Sequence, residues 1–160
     1  MCSTIKLDGK NYYIRYTFYM KESIAVEVRV EAPIEKVWHD FTDPAAIVAW
    51  NAASSDWHTP KAENDLRVGG AFSSRMEAKD GSQGFDFNGV YSEVIPHKLI
   101  AYTMEGGREV RVEFNEEAGV THITETFDPE NENPIEMQRD GWQSILDNFK
   151  KYAEGLSSKS

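Results

Sequence analysis

The stretch that decides the fold is residues 24–41, IAVEVRVEAPIEKVWHDF. From Ile24 to Val30 every second residue is apolar, which is the pattern of a strand with one buried face. Pro33 then suits the first turn of a helix. The apolar residues that follow have the spacing of an amphipathic helix: Ile34, Val37, Trp38 and Phe41. The stretch therefore predicts a strand that leads directly into a short helix.

A second short helix and a run of strands follow. Asp43-Pro44 forms a cap and first turn for a helix that extends through Trp50. Turn-forming residues then separate six strand-like segments: Trp57 to Lys61, Ala71 to Ala78, Phe85 to Ile95, Lys98 to Met104, Arg108 to Phe114 and Val120 to Phe127. Short connections permit hairpins but not parallel crossovers. The prediction is an antiparallel meander, with seven strands when the first is included.

The C-terminal part predicts one long helix. After a polar linker at 128–134, apolar residues recur at helical spacing from Trp142 to Leu156. A helix of about 20 residues spans about 30 Å, long enough to lie across a whole sheet. Gly155 and a flexible tail, 157–160, end the chain. The fold class is therefore α+β, in the order strand, two short helices, six strands and a long helix.

The first twenty residues differ from the rest. They carry three basic residues against one acidic residue, a local charge of +2 that leaves −12 for residues 21–160. Tyr12 to Tyr19 has the aromatic content of a strand, and Asp8-Gly9 is a turn signal. Two interpretations stay open: residues 1–20 add an edge strand, or Met20 is the native start and they are a non-native extension. The main domain is predicted to span residues 21–156.

Composition excludes several classes of function. The 160 residues, 18.2 kDa, suit one domain. With 27 acidic and 17 basic residues, the net charge of −10 argues against nucleic acid and anionic membrane surfaces as partners. No apolar run approaches the roughly 20 residues that span a bilayer, and the lone Cys2 cannot form a disulfide framework. A cytoplasmic protein, monomeric or weakly dimeric, is expected.

Four motifs carry a family resemblance: Ala32 to Trp38, Leu66 to Phe72, Gly89 to Tyr91, and Gly141-Trp142. They resemble the START-like (SRPBCC, Bet v 1-like) superfamily, and within it the branch named after the activator of the heat shock protein 90 ATPase. The resemblance covers residues 24–156, and Asp56 to Pro60 and Arg75 to Gly81 are similar to a bacterial subgroup mostly of unassigned function. It implies a helix-grip fold, in which a bent antiparallel sheet wraps the C-terminal helix and leaves a cavity.

No catalytic or metal-binding motif is present in the sequence. The four histidines, His39, His58, His97 and His122, lack metal-ligand spacing, so neither a metal nor another cofactor is predicted. The serines lack a nucleophile-elbow surround. His58 shares strand parity with Asp56 and so suits an oriented base, with a structural or solvent-facing pair as the alternative.

A surplus of aromatic and methionine residues indicates a ligand cavity, with core packing as the alternative for each residue. Arg75 and His58 are candidate polar anchors, although strand parity places Arg75 opposite Phe72 and Met76. The hydroxyls of Tyr91 and Tyr102 are further candidates. The cavity candidates are Trp50, Trp57, His58, Phe72, Arg75, Met76, Phe87, Tyr91, Tyr102, Met104, Trp142, Leu146 and Phe149.

Three functions follow from the resemblance and these residues. The first is binding of a small hydrophobic or aromatic ligand, such as a lipid, sterol, flavonoid or polyketide. The second is a stress-related accessory role with a chaperone partner, which rests on the family name. The third is a cyclase or hydrolase activity, for which an acid/base pair is lacking. Acidic residues of the C-terminal half serve solubility, or else repel anionic ligands or suit a basic partner.

Overall fold

A seven-stranded antiparallel sheet and one long helix make up most of the described chain. The computed structural model describes residues 2–7, 10–15 and 23–155. Its elements are β1 (Cys2–Leu7), β2 (Lys10–Arg15), β3 (Ile24–Val30), α1 (Ile34–Thr42), α2 (Pro44–Trp50), β4 (Trp57–Asn64), β5 (Ala71–Ala78), β6 (Gly84–Ile95), β7 (Leu99–Met104), a 3₁₀ turn (Glu105–Gly107), β8 (Glu109–Glu117), β9 (Val120–Phe127) and α3 (Ile135–Ala153). The predicted α+β class and element order are confirmed.

The large sheet is a meander of β4 to β9, to which β3 is added as the seventh strand. From β4 to β9, each strand pairs antiparallel with the next along the chain. β3 pairs with β9, from Ile24 opposite Phe127 to Val30 opposite Thr121. Since β3 and β4 form opposite edges of this sheet, α1 and α2 carry the chain from one edge to the other. The sheet is curled, and its inner face receives α3.

Two strands of the large sheet end three residues beyond their predicted ends. β4 continues to Asn64 rather than ending at Lys61, and its pairing with β5 shifts register between His58 and Lys61. β8 continues to Glu117 rather than ending at Phe114.

α3 begins at Ile135, directly after the predicted linker at 128–134, although its apolar spacing starts only at Trp142. Apart from the exposed Ile135 and Met137, its first two turns are polar and so show no apolar helical spacing. Among the described ranges, no helix combines the length and apolar character needed to cross a membrane.

The segment predicted as a polar linker, 128–134, is tied to α3 by one side chain. The amide of Gln138 donates to the backbone oxygens of Glu130 (3.1 Å) and Asn133 (2.8 Å). Its own oxygen accepts a hydrogen bond from the Glu130 backbone N–H at 2.9 Å. Gln138 is buried, so these bonds also satisfy its amide. The linker therefore has a defined path where β9 leads into α3.

The N-terminal strands form a separate pair. β1 and β2 are antiparallel, from Cys2 opposite Arg15 to Leu7 opposite Lys10, and they form a two-stranded sheet within the described residues. The predicted strand at 12–19 thus overlaps β2, which begins and ends earlier. The predicted turn at Asp8-Gly9, residues 16–20, Leu156 and the tail 157–160 lie outside the described residues. The origin of residues 1–20 stays a prediction.

Part of the core lies where the C-terminal half of α3 meets the sheet and the short helices. Phe149 is fully buried, with its ring centroid 5.2 Å from that of Phe41 and 5.0 Å from that of Trp50. Asn148 donates a side-chain hydrogen bond to the Trp50 carbonyl at 2.7 Å. The indole N–H of Trp50 in turn donates to the Asp40 carbonyl at 2.8 Å. These contacts join all three helices.

We expect Phe149→Ala to lower the free energy of unfolding by about 3–5 kcal/mol, because it leaves a cavity among aromatic rings that cannot close over it. The matched control is Met137→Ala on the same helix, since Met137 is 61% exposed and its truncation should change stability by about 0.5 kcal/mol or less. Urea unfolding followed by tryptophan fluorescence measures both. Equal midpoints for the two variants would contradict this account of the core.

Candidate functional site

An apolar cavity lies between the inner face of the sheet and the N-terminal half of α3. Its volume is about 350 Å³, within the range of small-molecule sites. α3 contributes Gln138, Trp142 and Ile145. The other apolar and aromatic lining residues come from α1, α2 and strands β5 to β7: Phe41, Ile47, Trp50, Phe72, Met76, Phe85, Phe87, Tyr91, Ile100 and Tyr102.

Aromatic contacts hold the wall of the cavity together. The ring of Phe72 meets that of Tyr102 edge to face, with centroids 4.7 Å apart. Phe87 bridges the sheet to α3 through an edge contact with Trp142 at 5.9 Å. On its other side Trp142 stacks on Phe127 at 3.9 Å and an interplanar angle of 13°. Because each ring is positioned by another, the wall is formed in the absence of a ligand.

A glycine in β6 makes this wall possible. Gly89 lies opposite Phe72 in the β5–β6 register. A Cβ atom on Gly89 would lie 2.5 Å from a carbon of the Phe72 ring and 3.1 Å from a carbon of the Tyr102 ring. Such distances are shorter than carbon–carbon contact. The absence of a side chain at Gly89 therefore allows the two rings to meet over the strand.

The structure places the thirteen predicted cavity residues in three groups. Seven line the cavity: Trp50, Phe72, Met76, Phe87, Tyr91, Tyr102 and Trp142. Three are buried in the core away from it: Met104, Leu146 and Phe149. The remaining three, Trp57, His58 and Arg75, do not line it. A role in ligand binding stays a prediction for each residue.

The two predicted polar anchors belong to a charged cluster outside the cavity. The Arg75 guanidinium pairs with Glu77 at 2.9 Å and with Asp86 at 3.4 Å. The His58 imidazole lies 3.7 Å from the same Glu77 carboxylate, so its ionic partner is not Asp56. As strand parity predicts, Arg75 lies on the opposite face of β5 from Phe72 and Met76, which both line the cavity. The cluster is partly exposed, and solvent screens its ion pairs.

One of the two tyrosine hydroxyls is already bonded within the fold. The Tyr91 hydroxyl donates to the Asn64 side-chain oxygen at 2.5 Å, and the Asn64 amide donates to the Thr42 carbonyl at 2.7 Å. This chain links β6, β4 and α1 at one end of the cavity. Burial raises the pKa of Tyr91 well above its ordinary value. Tyr91 therefore has a structural partner before any ligand is present.

The polar group that sequence reasoning missed is Glu125. It lies on the inner face of β9 between Ile123 and Phe127, lines the cavity, and is 8% exposed. Burial raises the pKa of its carboxyl to about 8. The sequence does indicate this position. Glu125 lies two residues from both Ile123 and Phe127 along β9, so the three side chains are expected on the same face of the strand. The acidic residues considered from sequence did not include it.

The cavity holds few other ionisable groups. Besides Glu125, those that line it are Glu63, Tyr91, Tyr102, Arg108 and Glu130. Arg108 donates from its Nε atom to the Asp128 carbonyl at 3.1 Å. Within residues 2–7, 10–15 and 23–155, no cluster of three His, Cys, Asp or Glu side chains is arranged to hold a metal ion.

Comparisons with known proteins agree with the fold. The family model described as "Activator of Hsp90 ATPase homolog 1-like protein" matches residues 31–154. A solution structure of an AHSA1-like protein from Aeromonas hydrophila is 46% identical, with a TM-score of 0.76, and the match covers 86% of this chain and 98% of that one. A solution structure from Cytophaga hutchinsonii is 52% identical, with a TM-score of 0.73 and coverage of 83% and 92%.

A more distant crystal structure has the same fold. It comes from Chromobacterium violaceum and is 26% identical, with a TM-score of 0.75 and coverage of 83% of this chain and 98% of that one. No curated protein matches this chain. This chain matches each of the three solved structures over at least 92% of that structure's length.

We expect Glu125→Gln to remove a pH dependence of stability. The pKa of Glu125 rises on folding from 4.5 to about 8, so its contribution to stability is fully present below about pH 4.5 and is lost as the pH rises to about 8. A pKa rise of this size corresponds to about 4–5 kcal/mol in the free energy of unfolding. Because the cavity admits water, we expect wild type to lose about 2–4 kcal/mol relative to the glutamine variant across that interval.

Urea unfolding at a series of pH values measures this difference. Glu117→Gln serves as the control for removing a carboxylate from an exposed position of β8. A wild-type minus Glu125→Gln difference that stays constant with pH would contradict the burial of this carboxyl.

We expect Gly89→Ala to destabilise the protein by about 1–3 kcal/mol, because the new methyl group displaces the Phe72 ring. Gly141→Ala in α3 is the matched control. A Cβ atom there meets nothing within 4 Å, and alanine should stabilise a helix interior by about 0.5–1 kcal/mol. Thermal unfolding should shift in opposite directions for the two variants, and a shift in the same direction would refute the close approach at Gly89.

Proposed function

The chain belongs to the activator of Hsp90 ATPase homolog 1-like family, and from the cavity of this member we propose that it binds a small apolar or aromatic ligand between its sheet and C-terminal helix. The observation that carries the proposal is the cavity of about 350 Å³ with its aromatic wall. Protein interiors normally fill such a space with side chains, since unfilled apolar volume costs stability. A ligand would restore the missing contacts.

The lining favours an aromatic ligand. Phe72, Phe87, Tyr102 and Trp142 present ring faces and edges to the cavity. Ring contacts of this kind add stabilisation beyond the area they bury. A compact molecule with one or more rings would therefore match both the size and the surface of the cavity.

The charge of the lining favours an uncharged ligand over an anion. Two carboxylates, Glu63 and Glu130, line the cavity, and burial keeps the Glu125 carboxyl uncharged at neutral pH, whereas Arg108 is the single guanidinium among the described lining residues. The net charge of the chain, −10, has the same sign. Fatty acid carboxylates would be repelled by this field, while neutral aromatic compounds would not. The chaperone and cyclase alternatives stay predictions.

A cavity-filling substitution tests the proposal. Ser74 on β5 is buried and lines the cavity, whereas its neighbour Ser73 faces the opposite side of the strand. We expect Ser74→Phe to abolish binding of N-phenylnaphthylamine, a neutral fluorescent probe of apolar sites, because the new ring occupies its space. Ser73→Phe should leave the binding unchanged. Circular dichroism establishes that both variants are folded.

A thermal-shift screen extends the test to natural ligand classes. Sterols, flavonoids, polyketides and fatty acids are compared, with the fatty acids expected to give the smallest shift. A ligand present at 100 times its dissociation constant stabilises the folded state by about 2.7 kcal/mol. Absence of a shift with every class, together with equal probe fluorescence in the two serine variants, would refute ligand binding in this cavity.

A further inference from the structure

Two largely buried side chains of the cavity wall have polar atoms that open onto the cavity and make no hydrogen bond within residues 23–155. Glu125 is 8% exposed and Tyr102 is 9% exposed. Among residues 23–155, neither the Glu125 carboxyl nor the Tyr102 hydroxyl makes a hydrogen bond or an ion pair, yet neither is sealed from the cavity space. Buried polar groups are normally paired, and an unpaired one costs stability. Both therefore retain hydrogen-bonding capacity for something that enters the cavity.

The fold satisfies other buried polar groups close by. The Thr121 hydroxyl, on the same strand as Glu125, donates to the Ala32 carbonyl at 2.9 Å. Thr59 donates to the Asn51 carbonyl at 2.6 Å. Tyr91, whose ring centroid is 6.3 Å from that of Tyr102, donates to Asn64. The free groups at Tyr102 and Glu125 thus contrast with their bonded neighbours.

The sheet register brings the two groups onto one wall. Tyr102 lies opposite Val110 of β8, and Glu125 lies opposite Val112 of the same strand. They therefore flank β8 diagonally on the inner face, and both line the cavity. Their electrostatic coupling agrees with this proximity, because the Glu125 carboxylate adds to the effect of burial in raising the pKa of Tyr102 well above its ordinary value.

The surroundings keep the carboxyl in its uncharged form. Glu125 has Val26 and Val112 as cross-strand neighbours, and burial raises its pKa to about 8. The other ionisable groups that face the cavity are Glu63, Tyr91, Tyr102, Arg108 and Glu130, and none of them pairs with Glu125. At neutral pH the carboxyl therefore keeps its proton. An uncharged carboxylic acid and a tyrosine hydroxyl can both donate to one oxygen atom.

Resting on the proposed ligand binding, we propose that the Glu125 carboxyl and the Tyr102 hydroxyl form a two-donor subsite for an uncharged acceptor oxygen, such as a ketone or ester carbonyl, on an aromatic ligand. The rings around Tyr102 hold the hydrocarbon part, and the two donors fix the carbonyl. A site with buried donors discriminates against analogues that lack the acceptor, because those leave the donors unpaired. The subsite thus selects carbonyl-bearing aromatics over plain aromatic hydrocarbons.

A matched pair of probes tests this subsite. Prodan is a neutral naphthalene with a dimethylamino group and a propionyl ketone, and its emission shifts to longer wavelength when the ketone accepts hydrogen bonds. Dimethylaminonaphthalene has the same ring without the ketone. We expect wild type at about pH 6 to bind Prodan about tenfold more tightly than the ketone-free compound, as one to two buried hydrogen bonds require.

The pH dependence and three variants identify the donors. At about pH 9.5 the Glu125 carboxyl is ionised and no longer donates, so Prodan affinity should fall about tenfold. Glu125→Gln retains a donor that does not titrate, so its affinity should not vary with pH. Glu125→Met, of similar size but without a donor, should bind Prodan weakly at both pH values and shift its emission to shorter wavelength. Tyr102→Phe should weaken binding at both pH values while retaining the pH dependence.

Binding of the ketone-free compound separates the two proposals. If it binds wild type and all variants equally, while Prodan is unaffected by pH or by Glu125→Met, then the cavity binds ligands and the two-donor subsite is wrong. If Prodan binds more tightly as the pH rises, Glu125 acts as an anion and the subsite is also wrong. If neither compound binds wild type, the proposed function fails and the subsite fails with it.

Discussion

The contact between α3 and the inner face of the sheet divides the helix into two halves with different tasks. In the C-terminal half, Leu146, Phe149 and Ala153 are buried almost completely. In the N-terminal half, Gln138 and Trp142 line the cavity instead, as does Ile145 near the middle of the helix. A straight helix of 19 residues over a curled sheet cannot stay in close contact along its whole length. Close packing at one end therefore leaves a space at the other.

The edges of that space are held by polar bonds and its walls by aromatic rings. At one end Tyr91 and Asn64 tie β6 and β4 to α1. At the other end Gln138 fixes the segment between β9 and α3. Between them Trp142 stacks on Phe127 and forms part of the cavity wall. The volume is thus a consequence of side chains committed elsewhere, and a ligand would find it already formed.

Periodicity predicted the fold well because it reports directly on burial. The alternation in β3 and the spacing in α1 were sufficient for the first elements, and short connections implied the antiparallel meander. Periodicity does not show where along α3 the close packing ends and the cavity begins. The sequence therefore predicts Leu146, Phe149 and Trp142 alike as cavity residues. The start of α3 followed from the end of the polar linker and not from periodicity, because the buried residue of its first turns is Gln138, which gives no apolar signal. Similarly, the register shift in β4 is invisible in the sequence.

Strand alternation also identifies polar residues at inward-facing positions, and Glu125 is one of them. Residues at inward positions of a strand are predicted to be apolar, so a polar residue there requires a partner from the fold or a reason to lack one. Thr121 and Glu125 both occupy inward positions of β9, but only Thr121 has a partner among the described residues. Sequence alone flags both residues without separating them. The structure separates them, because Glu125 lines the cavity whereas Thr121 is bonded to the backbone of the chain, and the proposed subsite rests on that difference.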